Sequence, residues 1–291
     1  MADKLRIKLV RSCGPAVKKD QTATCRAMGL RKIGDTYYFI YSSEHQHELC
    51  YATSKSPDRD FTFGGVIVSN GDIGINGRKK EDRLMMTGNN HGSIVRVDGR
   101  YYIFGHRHTN ASMFSRQGVA EEIFMDAEGH FAQAEMTSCG LYGGPLLGVG
   151  SYPAAIACHL QSKNGACFSF FASQNFLHPR LTQEGPDRES DPGQFIANLR
   201  DGATAGFKYF DFESDQPQSI AVQIRGRAKG VLYVYTGEPG GFPAAQIPVG
   251  VKAKDWVTAA SALKAGGSRT PLYFLFRGRG RLDFSSFDLQ P

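Results

Sequence analysis

From residue 36 onward the chain alternates apolar and polar residues in short runs broken by glycine-rich turns. TYYFIYSS (36–43), HELCYATS (47–54) and FTFGGVIVSN (61–70) each read as a strand. GSIVRVDGRYYIFGHRH (92–108) predicts a hairpin turning at Asp98-Gly99. SRQGVAEEIFMDAEGHFAQAEM (115–136) predicts a further strand pair turning at Glu128-Gly129. One phrase occurs twice: RKIGDTYYFIYSS (31–43) returns as VRVDGRYYIFGHRHT (95–109), placing the two Tyr-Tyr pairs about 64 residues apart. Sheets repeating at that interval are the pattern of propeller blades. Two blades cannot close a ring, which takes about four or more. Tyr37-Tyr38 and Tyr101-Tyr102 are expected in blade cores and between blades.

Past Gly143-Gly144-Pro145 and Gly148–Gly150 the pattern stays β but changes style. YPAAIACHLQ (152–161), ACFSFFASQ (166–174), GFKYFDFES (206–214), SIAVQIRGRA (219–228), GVLYVYTGE (230–238), PLYFLFRGRG (271–280) and RLDFSSFDLQ (281–290) read as strands. Such a set predicts a β-sandwich of jelly-roll type. The expected organisation is an atypical segment over 1–30, an incomplete β-propeller over 31–147 and a β-sandwich over 148–291. The fold class is all-β.

Composition supports strands: 34 Gly, 20 Phe and 12 Tyr in 291 residues, with a single Trp. Charge separates the N-terminus from the rest. Nine lysines and arginines lie within residues 1–32 against Asp3 and Asp20, while the whole chain carries +6. Residues 1–30 also contain no aromatic residue. A basic arm of this kind is expected to be solvated, and no nucleic-acid partner is expected. The six cysteines have no zinc-ligand spacing and are expected as free, mostly buried thiols. No signal-peptide core or membrane-length apolar run is present, so the default expectation is a cytoplasmic protein without a membrane partner.

The stretches RKIGDTYYFIYSS, LCYATSKSPDRDFTFGGVIVSNGDIGINGR, TGNNHGSIVRVDGRYYIFGHRHTN and FSRQGVAEEI occur in that order and resemble the later part of a glycoside hydrolase family 43 catalytic domain. That family includes β-xylosidases, α-L-arabinofuranosidases and arabinanases on a five-bladed β-propeller. Residues 148–291, with RDGATAGFKYFDF, KDWVTAA and LDFSSFDL, resemble the family 6-like carbohydrate-binding sandwich that often follows it. The resemblance implies inverting hydrolysis of arabinose- or xylose-containing plant polysaccharides or oligosaccharides, with a carbohydrate as partner. In that chemistry one carboxylate activates water and one carboxylic acid protonates the leaving oxygen. In the family the acid stands just before the Arg-Lys of the first repeated phrase. Here that stretch is TCRAMGLRK, and the acid's position holds Arg26. A guanidinium does not give up its proton near neutral pH, its pKa being above about 12. The base also has no counterpart in this sequence, and no catalytic residue is assigned. The expectation is an N-terminally truncated chain, or one shifted in frame, inactive by itself. The alternative is a non-catalytic carbohydrate-binding protein.

The same resemblance implies three site residues. His91, in NNHGSI, matches a histidine that faces a structural calcium at the propeller centre, commonly through its water shell. Calcium itself prefers oxygen ligands. Arg107 in FGHRHT and Arg116 in FSRQG match positions that turn polar groups toward the sugar, where fixed guanidinium donors hold hydroxyls. His106 and His108 flank Arg107 on a strand and are expected to be structural. Glu121-Glu122 is not expected to act as a dyad. Trp256 is expected in the sandwich core; Tyr233, Tyr235 and Tyr273 are candidate stacking residues.

Overall fold

A computed structural model describes residues 28–43, 47–88, 90–110, 115–166, 177–185 and 193–291. Arg26, most of the 1–30 segment, most of the expected strand at 166–174 and the acidic run 187–191 lie outside the described residues. The chain divides into two compact units. The first comprises the described parts of Met1–Lys80 with Thr87–Arg107 and Arg116–Met136; the second comprises Glu81–Met86, the described part of His108–Ser115, and that of Thr137–Pro291.

The first unit holds two antiparallel sheets. In one, β1 (Met28–Ile33), β2 (Thr36–Ser42), β3 (Leu49–Ser54) and β4 (Thr62–Val68) pair in sequence order. In the other, β5 (Ser93–Val97), β6 (Arg100–His108) and β7 (Arg116–Ile123) do the same. The repeated phrase is the first hairpin of each sheet: Ile33 pairs Thr36, and Val97 pairs Arg100. Strand β2 is buried on both sides. Phe39 and Tyr41 pack with Cys50, Ala52 and Phe61 on one side, and Tyr38 turns to the other.

On that other side Phe131 receives three tyrosine rings. Tyr38, Tyr51 and Tyr101 meet it edge-on, with centroids at 5.5, 5.8 and 5.7 Å. Tyr38 and Tyr51 belong to the first sheet and Tyr101 to the second, so both copies of the Tyr-Tyr phrase reach the same ring. The expected hairpin over 115–136 is corrected here. Only β7 forms, and beyond it Met125 and Phe131 make a single bridge. Part of the segment's backbone is met across the turn, with Asp126 N–H donating to His130 O at 2.9 Å and Ala132 N–H to Phe124 O at 3.3 Å; the rest is met at a distance, where the Tyr38 hydroxyl donates to Gly129 O at 2.7 Å and Phe131 N–H donates to the Tyr51 hydroxyl at 2.9 Å. Ala134 N–H donates to Ile67 O at 2.8 Å, carrying the chain along β4.

The second unit is a β-sandwich built on three long strands. Its shorter strands are β8 (Leu146–Leu147), β9 (Gly150–Pro153), β10 (His159–Gln161), β11 (Arg180–Gln183), β12 (Gln194–Leu199) and β13 (Thr204–Asp211). The long ones are β14 (Ser219–Tyr235), β15 (Ala245–Ala262) and β16 (Thr270–Gln290). Strand β16 pairs with β14 along one side and with β13, β12 and β9 in turn along the other. The core is aromatic: Phe207, Phe274, Phe284 and Phe287 are fully buried and in mutual contact.

Several expected strands are redrawn. The pairs 219–228 with 230–238, and 271–280 with 281–290, are each one continuous strand. Gly280, at φ 87, permits this: a Cβ there would lie 2.0 Å from Arg227 O on the neighbouring strand. The expected strand 152–161 is split by a 3-10 turn at Ala154–Ile156. Strands β11, β12 and β15 were not anticipated. In β15, Pro248 and Gly250 conceal a regular alternation of buried and exposed positions; the strand pairs only with β14, and an edge tolerates proline.

Truncating Phe131 to Ala removes the ring on which both sheets of the first unit converge. Denaturant unfolding of Phe131→Ala should show a loss of about 3–5 kcal/mol.

Candidate functional site

The ends of β4 and β6 gather the polar side chains of the first unit. Past β4, Ser69 and Asp72 form a turn in which Asp72 N–H donates to Ser69 O at 3.0 Å. Asp72 Oδ1 accepts the Met136 N–H at 2.7 Å, so this buried carboxylate serves the backbone. Between them Asn70 reaches into β6, its Nδ2 donating to His106 O at 2.9 Å. Asn90 completes the link: its Oδ1 accepts the His106 N–H at 3.1 Å, and its Nδ2 donates to Asn70 Oδ1 at 3.5 Å. Both asparagines are buried, and low local dielectric strengthens such a network while making any unpaired member costly.

His91 and His106 stand at the edge of this network with His106 Nε2 and His91 Nδ1 2.7 Å apart. One of the two rings supplies the proton and the other the lone pair. His91 is exposed and His106 buried. Gly92 makes the approach possible, because a Cβ there would sit 1.8 Å from Phe104 O. A flat passage of the backbone over β6 is what sets one imidazole on the other.

Arg107 points away from this pair, as strand alternation requires. It is buried, and its Nε donates to Gln117 Oε1 on β7 at 2.7 Å. Arg116, the neighbour of Gln117, is half-buried; desolvation pulls its guanidinium below the ordinary arginine value. The structure therefore puts Arg107 and Arg116 on adjacent strands and places His91 with His106, Asn70 and Asn90. Those last three were not assigned a site role from sequence, because nothing in their spacing links positions 20 and 36 residues apart.

For a calcium ion the fit is poor. Among the described residues no group of three or more His, Cys, Asp or Glu side chains gathers as a cation site, and His91 already uses Nδ1 on His106. No chemistry is assigned to a cation here.

The remaining carboxylates separate by role. Glu121 is buried while Glu122 faces outward to Arg100, at 3.4 Å, so the two do not form a dyad. Glu48 is buried on the first sheet, and desolvation raises its carboxyl above the ordinary value, with the Ser43 hydrogen bond and Lys80 pulling the other way. Cys50, two residues on in β3, is fully buried, and burial pushes its thiol up to about 12.

In the second unit Trp256 is not in the core. It lies half-buried on the outward side, edge-on to Phe195 at 5.4 Å, with the Arg225 guanidinium 4.3 Å from its centroid. Tyr273 is buried and donates to Glu238 Oε1 at 3.1 Å, which leaves it no face for a sugar. Tyr233 and Tyr235 are half-buried neighbours at 6.5 Å.

Two outcomes follow for the first unit. Gly92→Ala should cost about 1–3 kcal/mol in urea unfolding, since the new methyl group collides with backbone. Glu48 has a folded-state value raised above that of the unfolded chain. Its contribution is therefore full below the unfolded carboxylate value and is lost as pH rises through the folded one. Glu48→Gln should melt higher than the parent at neutral pH, and the two melting curves should converge on acidification.

No protein-family profile matches the chain. A curated xylosidase/arabinosidase of Thermoclostridium stercorarium is 46% identical over 266 residues, which is 90% of this chain and 55% of that protein. The chain thus spans about half the length of the curated relative it matches. Among solved structures, a glycoside hydrolase family 43 arabinoxylan arabinofuranohydrolase from Bacillus subtilis, in complex with cellotetraose, aligns over 91% of this chain and 54% of its own. That alignment has 17% identity and a TM-score of 0.50, a likeness of fold. CsCBM6-3 from Clostridium stercorarium, in complex with cellobiose, aligns over 51% of this chain and 98% of its own at 15% identity, and its TM-score of 0.40 is too loose to build on. By sequence the chain is a homologue of that xylosidase/arabinosidase over nine-tenths of its own length, and its fold, propeller-type sheets followed by a β-sandwich, is like that of the glycoside hydrolase family 43 structure.

Proposed function

We propose that this chain is a glycoside hydrolase family 43-like protein that engages arabinose- and xylose-containing plant polysaccharides or oligosaccharides. The observation that carries this is the 46% identity to a xylosidase/arabinosidase over 90% of the chain. The buried polar network of Asn70, Asn90 and His106 on one side of β6, and the Arg107–Gln117 pair on the other, supply polar groups of the kind that hold hydroxyl-rich ligands. In this reading Arg107 and Arg116 donate to sugar hydroxyls.

The reaction of the type is inverting hydrolysis. A base carboxylate takes a proton from water as the water oxygen bonds to the anomeric carbon, and an acid protonates the departing oxygen. Neither carboxylate is assigned to a described residue. Arg26, which stands at the acid's position by resemblance, favours a second reading: binding of the carbohydrate without hydrolysis.

One experiment addresses both. The chain is incubated with aryl α-L-arabinofuranoside and aryl β-xyloside, and separately run through gels containing arabinoxylan. We expect retardation without release of the aryl group, and a roughly tenfold loss of affinity, about 1.4 kcal/mol, in Arg107→Ala and Arg107→Lys. Turnover by the chain removes the non-catalytic reading. Neither retardation nor turnover removes both.

A further inference from the structure

On the outward side of the second unit, cations occupy alternate positions of three neighbouring strands. Strand β14 carries Arg225, Arg227 and Lys229, and β16 carries Arg277, Arg279 and Arg281. Strand β15 adds Lys252 and Lys254. The register sets them directly opposite one another. Lys252 faces Arg227, which faces Arg281, and in the next row Lys229 faces Arg279. Like charges placed opposite across a ladder are destabilising. Apart from Arg225, these side chains are exposed, so packing does not dictate them, and opposite signs would fit the same surface.

This face runs into a cleft of about 540 Å3 lined by Arg180, Arg200, Arg225, Lys254 and Arg281, with Asp283 as the one carboxylate in its wall. That carboxylate is already engaged: Oδ1 accepts the Asn198 N–H at 3.0 Å and Oδ2 accepts from Arg225 Nε at 3.3 Å. Arg225 also pairs with Glu184, and its guanidinium is stacked on both Phe195 and Trp256. The aromatic faces nearest the cleft are therefore covered by Arg225 and offer a neutral sugar no platform. What remains is a set of guanidinium and ammonium donors with few acids among them. Arg281 belongs to both the row and the cleft, so the two form one surface.

We propose that this surface binds a carboxylate-bearing polysaccharide, a linear chain of sugars with uronate groups. Successive outward cations along a strand lie about 6.6–6.8 Å apart, and those on neighbouring strands about 4.7–4.9 Å apart. Charges spread in this way match an extended polyanion better than a single small anion. Guanidinium groups hold carboxylates through two parallel hydrogen bonds, which favours Arg227, Arg281 and Arg200 as the groups that fix register. The choice of a glycan over other polyanions rests on the carbohydrate function proposed above; the anionic character of the ligand does not.

The test uses the whole chain and measures binding by calorimetry to oligosaccharides of glucuronoxylan, of galacturonan and of neutral xylan, and to a DNA duplex. At low salt a uronate-bearing oligosaccharide should bind at least tenfold tighter than its neutral counterpart. The difference should vanish at high salt. The double variant Arg227→Ala/Arg281→Ala should lose that preference while keeping any retention on neutral arabinoxylan. The double variant Arg227→Lys/Arg281→Lys should keep most of it. Equal binding of charged and neutral xylan oligosaccharides overturns the inference and leaves the proposed function standing. Tighter binding of DNA than of either uronate glycan also overturns it, as does a Lys double variant as weak as the Ala one. Arabinoxylan retention lost in the parent chain, with uronate binding intact, counts against the function above but not against this surface.

Discussion

In the first unit, tyrosines from two sheets converge on one ring. The sheets share no strand, and each pairs only within itself; they touch where Arg31 Nε on β1 donates to Ile94 O on β5 at 3.2 Å, and they meet again at Phe131 through Tyr38, Tyr51 and Tyr101. Edge-on contacts of this kind add directionality to simple burial, because the positive ring edge seeks the negative face. The hydroxyls then turn the contact into an anchor, since Tyr38 and Tyr51 hydrogen-bond to the backbone of the very segment that carries Phe131. A segment with only single bridges for a ladder thus has some of its remaining buried polar groups met by side chains. The consequence travels further along the chain. Gln133 Nε2 donates to Ile73 O at 2.7 Å and Met136 N–H to Asp72 Oδ1, so the loop after β4 is held in place. That loop presents Asn70 to His106. The polar site is positioned, at two removes, by the aromatic contact.

This explains which parts of the fold the sequence discloses. The repeated hairpins are legible because their information is local: alternation, a turn dipeptide and paired tyrosines sit within a dozen residues. The run 124–136 has the same look, an apolar alternation with Glu128-Gly129 at its centre, and it does turn there, but with a single bridge; its other contacts reach Tyr38 and Tyr51, some 80 to 91 residues away. Local pattern discloses the turn and not the point at which distant hydroxyls take over from the ladder. The same holds at the site. His91 could be singled out by its resemblance to a known position, whereas Asn70, Asn90 and Gln117 carry no such mark and acquire meaning only when β4, β6 and β7 lie together. Trp256 shows the opposite error. A tryptophan where the resembled sandwich buries one suggests a core residue, but here it stacks with Arg225 on the outside, and the core is made of phenylalanine instead.

In the second unit, two demands on one stretch of sequence can be separated. Residues 277–281 read Arg-Gly-Arg-Gly-Arg. Close passage of the neighbouring strand requires glycine at 280, where a Cβ would meet Arg227 O at 2.0 Å. Fold geometry accounts for such a residue. It does not account for the arginines between the glycines, which point outward and touch nothing in the phenylalanine core. On β14, Arg279 faces Lys229, Arg281 faces Arg227 and Arg277 faces Val231, so the row gains nothing from cross-strand charge pairing. The aromatic core, with Phe207, Phe274, Phe284 and Phe287 fully buried, is substantial enough to carry such a surface. Stability and surface chemistry are assigned to opposite sides of the same strands, and a sheet with alternating faces is the structure that allows a chain to set them independently.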